Sequence, residues 1–196
     1  MAVIDYFLFP LSPFTYLAGT RLEELAARTG AEISYKPFDL MKVFAETGGV
    51  PPGQRHESRK RYRLQELERI AAGNGMPINL QPAFWPTNPV PASVAIHNVQ
   101  TAGGDTGAVV HGILRACWVE EKDIAQSDVL AEVLEANGLD AKLVDGDMVS
   151  GVETYERNTN EALERFVFGA PTYLLGDQVF WGQDRLSYLE DALTKG

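Results

Sequence analysis

The sequence predicts an α/β fold interrupted after its second strand by a large all-helical insertion. Three observations predict it. The segment Val3 to Pro37 reads as strand, helix, strand; the stretch from Leu40 to about Phe166 carries only helical periodicity; and from Thr172 onward the pattern returns to short strands and a closing helix.

Val3-Ile4-Asp5-Tyr6-Phe7-Leu8-Phe9 is almost continuously apolar and β-prone, which suits a strand covered on both faces. After a turn at Pro10 to Pro13, Phe14, Leu17, Ala18, Leu22, Leu25 and Ala26 recur at helical spacing and predict one helix ended by Gly30. Ile33 and Tyr35 alternate with Ser34 and Lys36 as a second strand closed by Pro37, completing a βαβ unit. In the helical block, Leu64, Leu67, Ile70 and Ala71 make one apolar stripe, Ala92, Ala95, Ile96 and Val99 another, and Val109, Val110, Ile113, Leu114 and Cys117 a third. Ser127 is expected to cap a helix carrying Val129, Leu130, Val133 and Leu134 that stops at Asn137-Gly138. Val152, Tyr155, Thr159, Ala162, Leu163 and Phe166 define the last helix of the block. Gly75 to Pro91, dense in proline and asparagine yet containing Phe84 and Trp85, reads as an ordered loop because linkers are not rich in aromatics. Thr172 to Leu175 and Val179 to Trp181 flank Gly176-Asp177, a good hairpin turn, and Leu186, Leu189, Ala192 and Leu193 form the closing helix. The order βαβ, helical block, ββα is that of a thioredoxin-like fold with a large all-helical insertion after the second strand. Residues 1–39 and 167–196 are expected to form a discontinuous thioredoxin-like domain, with 40–166 as the inserted helical domain.

Composition narrows the function. With 45% apolar residues in 196, a sizeable core is available and disorder is not expected. Seventeen Lys and Arg against 27 Asp and Glu give a net charge of −10, which disfavours any sequence-independent hold on nucleic acid. The basic cluster Arg55, Arg59, Lys60, Arg61 and Arg63 reads by default as a solvated helix face, from which one or two cations can point inward to meet an acidic substrate. A lone cysteine, Cys117, excludes an intramolecular dithiol pair and suits a reducing, cytoplasmic setting. The N-terminal apolar run has no basic flank, carries Asp5, is broken by Pro10 and Pro13, and is too short to span a bilayer, so no membrane role is expected. His56, His97 and His111 show no metal-ligand spacing; His97 and His111 lie off the apolar stripes and read as surface residues.

Two short motifs carry the chemistry. Ser12-Pro13 is first a good cap and first-turn pair for a helix. A hydroxyl beside unpaired helix amides can also stabilise an anion, and if that anion is a thiolate it becomes a usable nucleophile. Cys117 lies on an apolar helix face, the usual place of a small buried hydrophobe, so the thiolate is expected to come from a bound cofactor. Pro171, in Gly169-Ala170-Pro171-Thr172, either simply starts a strand or is cis and exposes the backbone of Ala170 to a peptide-like ligand, of which glutathione is one. Gln183-Asp184, before the closing helix, could hold such a ligand's carboxylate end, or Asp184 could merely cap the helix. Tyr62, Phe84, Trp85 and Trp181 could wall a flat aromatic substrate, or be packing residues.

The stretches Ser12 to Ala18, Thr47-Gly48-Gly49-Val50-Pro51-Pro52, Arg59 through Tyr62 to Ala71, Phe84-Trp85-Pro86, and Phe168 to Thr172 with Phe180 to Leu186 together resemble the 2-hydroxychromene-2-carboxylate isomerases, relatives of the kappa-class glutathione transferases and more distantly of DsbA-like oxidoreductases. The resemblance spans nearly the whole chain. It implies that Ser12 faces the glutathione sulfur, that Ala170, Pro171, Trp181, Gly182, Gln183 and Asp184 hold glutathione, and that Phe44, Gly49, Arg59, Lys60, Tyr62 and Trp85 meet the substrate. Gly49 stands where members often carry a ligand-contacting asparagine, which bears on substrate identity. The implied reaction interconverts 2-hydroxychromene-2-carboxylate and trans-o-hydroxybenzylidenepyruvate through reversible thiolate addition, in a homodimer. Rival readings are a kappa-like transferase that consumes glutathione and a thioredoxin-like binding module without catalysis.

Overall fold

Strand β1, Val3–Leu8, lies inside the sheet of the computed structural model, which describes residues 1–195. It pairs parallel with β2, Glu32–Pro37, and antiparallel with β3, Thr172–Leu175, which pairs antiparallel with β4, Gln178–Trp181. The order is therefore β2-β1-β3-β4. This central place is what the apolar run demands. Ile4, Phe7 and Leu8 are fully buried, each contributing roughly 1.5–3 kcal/mol. Pro37 is tolerated because β2 is an edge strand and Pro37 stands at its end, opposite Leu8. Asp5, the one charge in β1, is answered by Arg165 at 2.6 Å and Lys36 at 3.5 Å, and both cations also meet Glu161.

The expected N-terminal helix is two helices. α1, Pro13–Leu17, ends at Ala18, and α2, Arg21–Thr29, begins after Gly19 turns the chain at φ +58°. The apolar spacing runs on across the break, so periodicity alone does not show it. The Arg21 side chain spans the corner, donating to the carbonyls of Leu17 and Ala18 at 2.9 and 2.8 Å.

Six further helices follow β2: α3, Leu40–Thr47; α4, Glu57–Asn74; α5, Val90–Thr101; α6, Thr106–Trp118; α7, Ser127–Ala136; and α8, Met148–Glu164. The closing helix is α9, Leu186–Lys195. Aspartates start three of them: Asp39, Asp105 and Asp147 accept from first-turn amides of α3, α6 and α8, a device worth about 1 kcal/mol each. Ser127 does not cap α7. Gln126 takes that position without a side-chain bond, and the Ser127 hydroxyl turns to Asp145 instead.

Helices α5 and α8 pack on β2 and on one another, so the helical block is continuous with the sheet. One apolar cluster runs from Ile4 and Tyr173 through Leu67 to Val110, Trp118 and Leu134. His97 and His111 are drawn into these seams rather than left on the surface: His97 Nε2 lies 3.2 Å from Ser150 Oγ, and His111 Nε2 lies 3.2 Å from Glu23 Oε2. The Gly75 to Pro91 stretch is an ordered loop, pinned by the Trp85 indole N–H to the Leu11 carbonyl at 2.9 Å and by the Tyr16 hydroxyl to the Pro77 carbonyl at 2.5 Å. Among the described residues, no helix is long and apolar enough to cross a membrane.

The α5–α8 contact depends on Gly151, where a Cβ would stand 2.7 Å from Val94 Cγ1. Overpacking there outweighs any gain in helix propensity, so Gly151→Val is expected to cost about 1–3 kcal/mol. The melting temperature should fall by roughly 2–4 °C per kcal/mol. Gly53→Ala, at a position with nothing within 4 Å, should melt with the wild type.

Candidate active site

The C-terminal end of β1 delivers Ser12 to the start of β3. Ser12 N–H donates to the Phe9 carbonyl at 2.9 Å, which closes the turn, and Ser12 Oγ then caps α1 by accepting from Thr15 N–H at 3.2 Å. The same hydroxyl donates to the Ala170 carbonyl across 3.4 Å, a long and weak contact. Ser12 therefore caps α1 and also faces the Ala170-Pro171 turn, whose peptide bond is cis. Thr15 N–H occupies one lone pair of the oxygen, and the hydroxyl proton, held only by the long contact to Ala170, is the group that can meet an anion.

The turn before β3 is held from both sides. Gly182 N–H donates to the Pro171 carbonyl at 2.9 Å and the Thr172 hydroxyl to the Gly169 carbonyl at 2.8 Å. Glycine is required at 169 because a Cβ would run into Trp181 Nε1. The Trp181 indole lies edge-on to Phe168, with centroids 4.7 Å apart.

In front of Ser12 and Ala170 opens a cleft of about 1020 Å³. Phe9, Leu11 and Trp181 line the sheet side, α3 and the Gly48 to Gly53 loop the second wall, Trp85 to Val90 a third, and Tyr155 reaches in from α8. A hydrogen bond from Asp39 N–H to the Thr159 hydroxyl at 2.9 Å ties the α3 wall to α8. Phe44 packs so closely on Gly49 that any Cβ there would strike its ring. The cations of the cleft are Arg55, Arg59 and Arg63, and its single carboxylate among the described residues is Asp39. Burial pushes the Arg63 guanidinium down to about 10, with the charge of Arg55 adding to the effect. Burial, then the charge of Asp39, raises the Tyr155 phenol well above its ordinary value, so it stays protonated and can only donate or accept a hydrogen bond.

The structure gathers Ser12, Ala170, Trp181, Phe44, Gly49, Arg59 and Trp85 around this one cleft. It does not bring Lys60 or Tyr62 there. Lys60 turns to Glu57 at 3.8 Å, and Tyr62, 59% exposed, lines a separate shallow groove with Arg61, because α4 presents to the cleft only the face carrying Arg59 and Arg63. Pro171 is buried behind Ala170. Gln183 and Asp184 line another surface groove beside α2 and α9, where the Gln183 amide oxygen accepts from Arg21 at 2.7 Å. Gly182, at φ +119°, lies close to Asp184, since a Cβ there would come within 2.8 Å of Asp184 Oδ1. Asp184 is no cap for α9, which begins at Leu186; its carboxylate accepts from Arg185 at 2.8 Å. Sequence reasoning missed Tyr155, placed on an apolar stripe as one packing residue among others, and did not single out Arg63. The spacing of Arg59 and Arg63, one helical turn apart, was the available signal. No group of three or more His, Cys, Asp or Glu side chains that could hold a metal ion occurs among the described residues.

Comparison with known proteins agrees along the whole chain. The DsbA-like thioredoxin domain family matches residues 3–194. A 2-hydroxychromene-2-carboxylate isomerase of Pseudomonas putida is 34% identical, covering 98% of this chain and 95% of that protein. Its counterpart in Sphingobium xenophagum is 33% identical over 97% of both. A solved 2-hydroxychromene-2-carboxylate isomerase structure superposes with a TM-score of 0.80 at 31% identity, covering 98% of this chain and 95% of that one.

Cys117 is 2% exposed, and burial, with Asp123 and Glu121 nearby, pushes its thiol up to about 12. In the native protein at neutral pH it should resist a water-soluble disulfide reagent for hours and react fully within minutes of adding denaturant. Rapid stoichiometric labelling of the folded chain would contradict the burial on which its structural role rests.

Proposed function

This chain belongs to the 2-hydroxychromene-2-carboxylate isomerase family of DsbA-like thioredoxin domains, and from that premise we propose that it is a glutathione-dependent isomerase interconverting 2-hydroxychromene-2-carboxylate, through its ring-opened form, with trans-o-hydroxybenzylidenepyruvate. A conjugated double bond does not rotate at ambient temperature. When bound, glutathione supplies a thiolate that adds reversibly to that bond and departs after rotation, so none is consumed.

The observation that carries the reading is Ser12, a residue only 6% exposed, lining the cleft with only a 3.4 Å contact to occupy its hydroxyl proton. That proton is weakly committed to Ala170 and can turn to a sulfur anion, lowering the cost of the thiolate. The Ala170 backbone beside it is the natural partner for the peptide portion of the ligand, and Trp181 covers the turn from outside. Apolar walls from Phe9, Leu11, Phe44 and Trp85 keep water from the reacting bond and suit a flat ring. Charge that develops on the substrate's oxygen atoms during addition meets the Arg59 cation and the protonated Tyr155 hydroxyl, both of which line the cleft. The residues present therefore fit a tripeptide thiol with an aromatic acid beside it. The proposal includes a cytosolic setting, to which the lone buried thiol is suited, and a homodimer, the assembly the family resemblance implies.

Isomerisation of o-hydroxybenzylidenepyruvate, followed by absorbance with and without glutathione, tests the proposal directly. The rate should require glutathione while free thiol stays constant. Ser12→Ala should lower kcat by about 10- to 100-fold, the scale of one hydrogen bond to a charged group, with glutathione affinity by calorimetry largely kept. Progressive loss of thiol would favour a transferase instead, no detectable glutathione binding at millimolar concentration would favour a binding module, and a wild-type rate in Ser12→Ala would remove Ser12 from the mechanism.

A further inference from the structure

Resting on the reading of the cleft as an aromatic-substrate site, we infer that Arg63 receives the substrate's carboxylate, its guanidinium stacked over Trp85 so that the acid group and the flat conjugated body are recognised together. The three cleft arginines are not equivalent. Arg55 is committed to the protein, its Nε donating to the Val50 carbonyl at 2.7 Å and its guanidinium lying 5.9 Å from the Phe44 ring centre. Arg59 lines the cleft but is exposed to solvent. Arg63 is half-buried, with its guanidinium carbon 5.3 Å from the Trp85 ring centre. The ion pairs on α4 are Lys60–Glu57 and Arg69–Glu66, and Arg63 pairs with no carboxylate among the described residues. The cleft's own carboxylate, Asp39, forms no ion pair with Arg63 and turns its Oδ1 to the amides of Met41 and Lys42 at 2.9 and 3.1 Å.

A half-buried cation with a like charge beside it and no counter-ion is an incomplete electrostatic arrangement. An incoming carboxylate completes it, and the planar guanidinium offers two parallel N–H donors that an ammonium does not. The lowered proton affinity of Arg63 is a symptom of the same shortage. Its platform is also rigid. The Trp85 indole is fixed by its bond to the Leu11 carbonyl and by the Trp118 ring 5.7 Å away, and Leu11 is covalently joined to Ser12. An acid group held on Arg63 is thereby placed in a fixed relation to the hydroxyl at the reacting end. The ligand class this selects is a flat, conjugated carboxylate, with discrimination against the neutral amide or ester of the same shape.

The test uses trans-cinnamate and trans-cinnamamide as unreactive probes, titrated calorimetrically into the protein without glutathione. Wild type should prefer the acid by about tenfold or more. Arg63→Met, which keeps an apolar stem against Trp85, should lose most of the preference for the acid while its affinity for the amide stays near that of wild type, and Lys60→Met keeps the full preference. Were Arg63→Met not to fold, Arg63→Lys should show a preference reduced severalfold. An unchanged preference in the Arg63 variant, equal loss of acid and amide, or no preference in the wild type would each overturn the assignment. Because no glutathione and no turnover enter these titrations, a protein that reads cinnamate through Arg63 yet isomerises nothing would strike the proposed function and leave this inference standing.

Discussion

The antiparallel pairing of β1 with β3, in the register that sets Phe7 against Thr172, is the constraint from which the site follows. Antiparallel neighbours place the end of one strand beside the start of the other, so the chain leaving β1 toward Ser12 must pass the chain entering β3 from Ala170. Residues at opposite ends of the sequence thus meet without any contact of their own having to hold them. What holds them is burial: Phe7 and Tyr173 lie inside the core, and Tyr6 stacks on Tyr173 with centroids 5.2 Å apart. A slip of one residue would turn each of these side chains to the opposite face of the sheet, so the register is set by the hydrophobic pattern as well as by hydrogen bonds.

The break after α1 changes the electrostatic account of Ser12. A long helix starting at Ser12 would aim the positive end of a full macrodipole at the cleft, whereas α1 has five residues and its axis is abandoned at Gly19. In the proposed mechanism the burden of stabilising an anion shifts accordingly from aligned peptide dipoles to discrete groups, the Ser12 hydroxyl and the arginines across the cleft. Discrete donors act over short distances and depend on who positions them. Here that duty falls on the ordered loop through Trp85 and on α4.

A chain of net charge −10 that assembles three arginines and one occupied carboxylate in a largely apolar cleft has separated its charge. Asp39 aside, the negative side chains lie outside the cleft, many of them in salt bridges and helix starts. The local excess of positive charge, flanked by low-dielectric walls, is the arrangement the proposed carboxylate substrate requires. Arginine suits the task better than lysine because its guanidinium is less strongly hydrated and tolerates stacking on Phe44 and Trp85.

Much of this protein was legible one residue at a time. Continuous apolar character determined that β1 would be buried on both faces; the Gly176-Asp177 turn, the stripes of α4 to α8 and the ordered loop around Trp85 followed from local pattern, and Ser12 and Ala170 were marked by motif. The tertiary structure decided what no local pattern contains. Whether Lys60 or Arg63 enters the cleft depends on the rotation of α4 about its axis, and that is set by Leu67 and Ala71 burying against the rest of the core. Whether Ser127 or Gln126 caps α7, whether His111 meets Glu23, and whether Tyr155 faces solvent or the cleft depend likewise on which neighbour arrives. Periodicity and turn chemistry are properties of adjacent residues, and so the sequence by itself determined the elements. The direction in which each side chain points is an outcome of packing between elements distant in the chain, and only the folded structure supplies it.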